Sequence, residues 1–111
     1  MLLCNKAFEL IQNDKGLAEN STRMIFNHTS NPYEATYSGP NVSNGHVLIF
    51  NNDENLNMVY HALTSEGQLV AGKATVNLAY TDDNRLKMEL NWQWLTGDQS
   101  SGISKWIETS I

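Results

Sequence analysis

The sequence predicts an all-β fold, an eight-stranded antiparallel up-and-down meander closed into a small barrel, with residues 1–111 as a single domain. Three observations point there. Turn-forming clusters recur at short, even spacing. The segments between them are rich in Val, Ile, Thr, Tyr, Phe and Trp, which suit a pleated, half-buried surface. Along several segments apolar and polar residues alternate with period two. A chain of 111 residues holds one core, and no linker, repeat or low-complexity tract divides it.

The turn clusters are Asn13-Asp14-Lys15-Gly16, Ser30-Asn31-Pro32, Ser38-Gly39-Pro40-Asn41, Asn51-Asn52-Asp53-Glu54, Ser65-Glu66-Gly67, Asp82-Asp83-Asn84 and the run from Gly97-Asp98 to Gly102. In the first segment, residues 3–12, Leu3, Ala7, Leu10 and Ile11 recur at helical spacing, so a short helix competes with a strand. For the middle segments a register can be argued. With Asn51 opposite Asn55 across a three-residue loop, Phe50 faces Leu56, Leu48 faces Met58 and His46 faces Tyr60. A slip by one would set Phe50 against Asn57 and mix the faces.

The next hairpin closes with Thr64 opposite Gln68, which pairs Ala62 with Val70, Tyr60 with Gly72, Met58 with Ala74 and Leu56 with Val76. The one after it closes with Thr81 opposite Arg85, pairing Tyr80 with Leu86, Leu78 with Met88, Val76 with Leu90, Ala74 with Trp92 and Gly72 with Trp94. The even-numbered residues from His46 to Trp94 are therefore expected to line the core. Gly72 and Ala74 are small where their neighbours are large, which is how a tight barrel interior is filled. Each buried Trp removes on the order of 200 Å² from water, roughly 5 kcal/mol as an upper bound.

On the outer face, Val47, Ile49, Val59 and Leu63 are expected to form an apolar patch suited to a homodimer contact. Lys73, Thr75, Asn77, Lys87, Glu89, Asn91 and Gln93 make a polar surface beside it. The last segment has two parities: either Ile103, Lys105 and Ile107 face inward, or Ser104, Trp106 and Glu108 do.

A formal charge of −5 and a pI near 5.0 argue against non-specific nucleic-acid binding, which needs a basic footprint. The one cysteine, Cys4, excludes an intrachain disulfide. Met1-Leu2-Leu3-Cys4 lacks the charged and apolar regions of a lipoprotein signal, and no apolar run is long enough to span a bilayer. Asn-x-Ser/Thr triplets at Asn20, Asn27 and Asn41 are expected by chance in a chain this rich in Asn and Ser. The default expectation is a soluble, cytoplasmic bacterial protein with no nucleic-acid or membrane partner.

Several short motifs occur together. They are Tyr37-Ser38-Gly39, then Gly45, then Leu56-x-Met58-x-Tyr60-His61, then Gly67-x-Leu69-x-x-Gly72-Lys73, then Trp92-Gln93-Trp94-x-Thr96-Gly97-Asp98-x-Ser100-Ser101-Gly102. The combination resembles a family of small, uncharacterised bacterial proteins of about this length. Members often carry the label N-acetylglutamate synthase, which would imply acetyl transfer from acetyl-CoA. The chain has no counterpart of the βα phosphate-binding loop that such chemistry uses, so that activity is not expected from the residues. Members tend to have Glu two residues before the first Trp of the Trp-Gln-Trp motif, where this chain has Leu90, and Ala74-Thr75-Val76 also departs from the pattern.

The ligand-binding candidates are Tyr37, His46, Met58, Tyr60, Trp92, Trp94 and Asp98. The aromatic and Met residues would line a pocket of several hundred cubic ångströms, open to a small apolar or aromatic ligand, with His46 and Asp98 at its rim. Such pockets occur in lipocalin- and streptavidin-like barrels. Core filling competes with this reading, because an eight-stranded barrel is only just wide enough for its own side chains. A turn capped by Asp98 through its own backbone is the competing reading for that residue. A solid barrel that assembles with other copies is the alternative. An enzyme would need an acid–base pair, for which only His46, Tyr60 and Glu108 offer themselves. His28, His46 and His61 are not clustered in sequence, so no metal site is expected, and no cofactor is implied.

Overall fold

Strands form where the turn clusters leave room for them. The structure, a computed structural model, describes residues 2–14, 21–52 and 55–110. The strands are β1 Ala7–Asn13, β2 Arg23–Phe26, β3 Tyr33–Gly39, β4 Val42–Asn52, β5 Asn55–Thr64, β6 Leu69–Tyr80, β7 Leu86–Trp94 and β8 Ser101–Thr109. Each pairs antiparallel with the next, and β1 pairs with β8 to close the barrel. Lys15 and Gly16 of the first turn cluster, and Asp53 and Glu54 of the fourth, lie outside the described residues.

The two hairpins β5–β6 and β6–β7 have the register expected from the alternation. Tyr60 pairs with Gly72 and Met58 with Ala74; Ala74 pairs with Trp92 and Gly72 with Trp94. Lys73, Thr75, Asn77, Asn91 and Gln93 are exposed on the outer wall. Tyr80 is the exception to inward placement at the strand end, where β6 runs past the core and leaves the ring 61% exposed.

The β4–β5 hairpin corrects the expected register by one residue. Asn52 pairs with Asn55, so one residue fewer separates the strands than in the three-residue loop. Ile49 then faces Met58, Val47 faces Tyr60, and Phe50 faces Asn57. His46 faces His61, not Tyr60. Val47 and Ile49 are core residues at 1% and 0% exposure, not members of an outer patch, while Phe50 lies 45% exposed. The physical reason is that Val47-Leu48-Ile49-Phe50 is apolar on both faces, so alternation cannot choose between them. The two-residue connection, the commonest for hairpins, decides. Val59 and Leu63 do lie on the outside.

The ends of the chain resolve as well. Residues 7–13 form a strand, with a register shift between Leu10 and Gln12 that leaves Ile11 on the surface. In β8 the inward set begins with Ser104 and Trp106, both 4% exposed. One end of the barrel is plugged. Leu3, Phe8, Phe26 and Leu86 are fully buried there, and Phe8 meets Phe26 edge-on at 5.8 Å. The chain before β1 folds back over this end, with Asn5 N donating to Asn27 O at 3.0 Å and Lys6 N donating to Leu3 O at 3.3 Å.

Glu108 ties the closing seam. Its Oε1 accepts from Leu86 N at 2.8 Å and its Oε2 accepts from Lys6 Nζ at 3.0 Å. These bonds, the first foremost, hold its carboxyl below the usual range. A carboxylate lowered in this way stabilises the fold at pH above its unfolded value and loses that contribution as pH falls through the folded one. Glu108→Gln is expected to cost about 1 kcal/mol at pH 7. In urea titrations the gap between variant and wild type should shrink below pH 4 (roughly where free carboxyls protonate).

Candidate functional site

Three rings at the end opposite the plug each sit against a glycine of the neighbouring strand. Tyr37 pairs with Gly45, Tyr60 with Gly72 and Trp92 with Gly102. A Cβ added at Gly45 or Gly72 would fall on the atoms of the Tyr37 or Tyr60 ring, and one at Gly102 would approach Trp92 Cζ2 to 2.6 Å. The rings thus occupy wall space that side chains would otherwise fill, the sheet device in which an aromatic covers a cross-strand glycine.

Drawing these rings against the wall leaves a cavity of about 60 Å³ in the lumen. Tyr37, Met58, Tyr60, Trp92 and Trp94 all line it, as the sequence reading expected. Met24, Val42, Val47, Leu90, Trp106, Asn13 and Ser104 complete the lining. The void is smaller than the several hundred cubic ångströms expected, because Trp106 and Val47 also project inward. Tyr60 and Trp94 are half-buried and stand at the mouth, in edge-to-face contact at 5.3 Å; Trp94 lies 6.2 Å from Trp92.

The polar groups of the cavity are neutral. Trp92 Nε1 donates to Asn13 Oδ1 at 3.1 Å, and Trp106 Nε1 donates to Ser104 Oγ at 3.0 Å. Both indoles are therefore satisfied within the wall. Burial pushes the Tyr37 phenol up, and the Tyr60 phenol is raised by burial and then by its neighbour Tyr37. Both stay protonated at neutral pH. Tyr60 donates to Gln93 O at a long 3.5 Å. Among the described residues, no charged side chain lines the cavity.

Two candidates lie elsewhere. His46 is on the outer face of β4, so it does not form a rim of the cavity or a pair with Tyr60. The acid–base arrangement of His46 with Tyr60 is thereby corrected: the two project from opposite faces of the wall. Asp98 sits exposed in the β7–β8 connection, where its Oδ1 accepts from Ser100 N at 3.0 Å, the main cause of its lowered carboxyl. It caps its own turn. Glu108 is at the plugged end, away from Trp92.

Trp106, Ser104, Val47 and Asn13 are site residues that sequence reasoning did not place. The first two depended on the parity of the last strand, Val47 on the β4 register, and Asn13 read as a turn residue.

No curated protein and no solved structure matches the chain. The family model described as avidin-like protein matches residues 1–109, nearly the whole barrel. With eight antiparallel strands in sequential order and closed upon themselves, the chain belongs to the avidin-like family.

Proposed function

We propose that the protein is a non-enzymatic small-molecule-binding barrel that takes an uncharged, apolar or aromatic ligand at its aromatic-lined end. The observation that carries this reading is the set of rings laid over Gly45, Gly72 and Gly102, which opens lumen space between them. A barrel needing only a solid core would fill that level with ordinary side chains. The uncharged lining favours a neutral ligand, since a charge brought there would lose hydration without a partner. The 60 Å³ void admits only a few atoms, so a larger planar ligand must swing Tyr60 and Trp94 outward. Membership of the avidin-like family supports the same reading. The polar outer wall of β6 and β7 supports a barrel working in water, as lipid-facing barrels carry an apolar outer band.

Titration with a panel of neutral planar compounds such as indole, 2-naphthol and benzamide, followed by tryptophan fluorescence, tests it. At least one compound should give a saturable change, weakened about 3- to 10-fold in Trp92→Leu. A panel that gives no saturable change, or a change untouched by Trp92→Leu, counts against the pocket.

A second reading is self-association through the outer face of β4–β6. Phe50, Val59, Leu63 and Leu69 are all at least 36% exposed there, on successive paired strands, with Leu63 directly opposite Leu69. Such an exposed apolar face suits contact with another copy. Sedimentation at micromolar concentration should show a dimer or larger species; a strict monomer removes this reading.

A further inference from the structure

The register of β4 and β5 sets His46 directly opposite His61 on the outer face of the barrel. Their ring centres are 5.4 Å apart and their planes are inclined at 45°. His61 is exposed and His46 is half-buried, so the pair stands at the surface and outside the aromatic cavity.

We propose that His46 and His61 together bind a transition-metal ion of the Ni²⁺, Cu²⁺ or Zn²⁺ class through two imidazoles, with water completing the coordination. Imidazole suits these ions. An ion bound at about 2.0–2.1 Å by one nitrogen of each ring, at a tetrahedral or square-planar angle, sets the ring centres roughly 4.5–5.2 Å apart. The observed 5.4 Å lies just outside that span, within reach of a small side-chain rotation. The backbone positions are already fixed, because the ladder pairs on either side, Gly45 with Ala62 and Val47 with Tyr60, belong to the barrel wall. The second imidazole is therefore held near the ion at little further entropic cost, which is the origin of a chelate gain.

The surroundings leave the site accessible in the single barrel; Val59 and Leu63 flank His61 on the same outer face, so self-association through that face would compete with the ion. Thr36 on β3 lies across from His46, and Ala71 on β6 lies across from His61. Two ladder positions along, and so on the same face, β3 carries Glu34 and β6 carries Lys73. Lys73 opposes a cation, but its long stem can carry the ammonium away. The net charge of −5 favours cations over the whole molecule. Among the described residues, no group of three His, Cys, Asp or Glu side chains gathers. The site is thus a two-ligand surface chelate and not a closed structural centre.

The test is calorimetric titration of the untagged protein with NiCl₂ at pH 7.5, for wild type, His46→Asn, His61→Asn, the double variant and His28→Asn. Circular dichroism confirms that each is folded. Wild type should bind one ion per chain. Either single substitution should weaken binding by about tenfold or more, the double variant should lose little further, and His28→Asn should bind like wild type. Three results overturn the proposal: no binding by wild type, losses under about twofold for either single variant, or losses that add in the double variant as for independent sites.

Discussion

Phe8→Ala is expected to remove about 3–5 kcal/mol of stability. Phe8 is fully buried beneath the folded-back N-terminal turn and meets the Phe26 ring at an interplanar angle of 79°. Phe26 in turn meets Tyr33 edge-on at 6.4 Å, so the truncation takes away one member of a run of three rings. Neighbouring strands are held by the β1–β2 and β1–β8 ladders and cannot collapse far into the space left. The loss is a large part of the 5–15 kcal/mol available to a domain of this kind. Urea denaturation measures it. A loss below about 1 kcal/mol would show that this end is not packed as described.

Gly72→Ala is expected to destabilise by about 1–3 kcal/mol, against the usual preference. In an open strand position alanine replaces glycine at a gain, because glycine loses more backbone freedom on folding. Here the new methyl would fall on the Tyr60 ring. The ring must leave the wall and turn into the lumen, where the cavity lies. Tyr60→Ser removes the ring that the methyl strikes, so Gly72→Ala should cost little in that background. Urea denaturation of the four proteins yields the coupling, expected at about 1–2 kcal/mol. An additive cycle would mean that the ring does not depend on the glycine.

How much of this was legible depended on the contrast between the two faces of each strand. Along the middle of β6 and along β7 the outward residues are Lys73, Thr75, Asn77, Lys87, Glu89, Asn91 and Gln93, so the inward face could be read directly. In β4 no such contrast exists from Val47 to Phe50, and the turn length settled the register. The cavity residues Tyr37, Met58, Tyr60, Trp92 and Trp94 were visible because four of them sit on the well-patterned strands or, for Tyr37, beside a turn. Trp106 was not, because Ile103 to Ile107 alternates apolar residues onto both faces. The His46–His61 neighbourhood was hidden by the same one-residue uncertainty in β4, since only the correct register brings the rings together. Asp98 was visible as a polar group near the stripe. Its bond to Ser100 N is a local backbone choice that spacing alone does not decide.

The pocket itself is the central claim, and the indole N–H signals of Trp92, Trp94 and Trp106 report on it from three sides. In ¹⁵N-labelled protein, nuclear magnetic resonance spectra recorded with a panel of neutral aromatic fragments should show shifts at these indoles, with the amides of Phe8, Phe26 and Leu86 unmoved. A panel that leaves all three indoles unmoved, or that moves the plugged end instead, would contradict a ligand site at the aromatic end of the barrel.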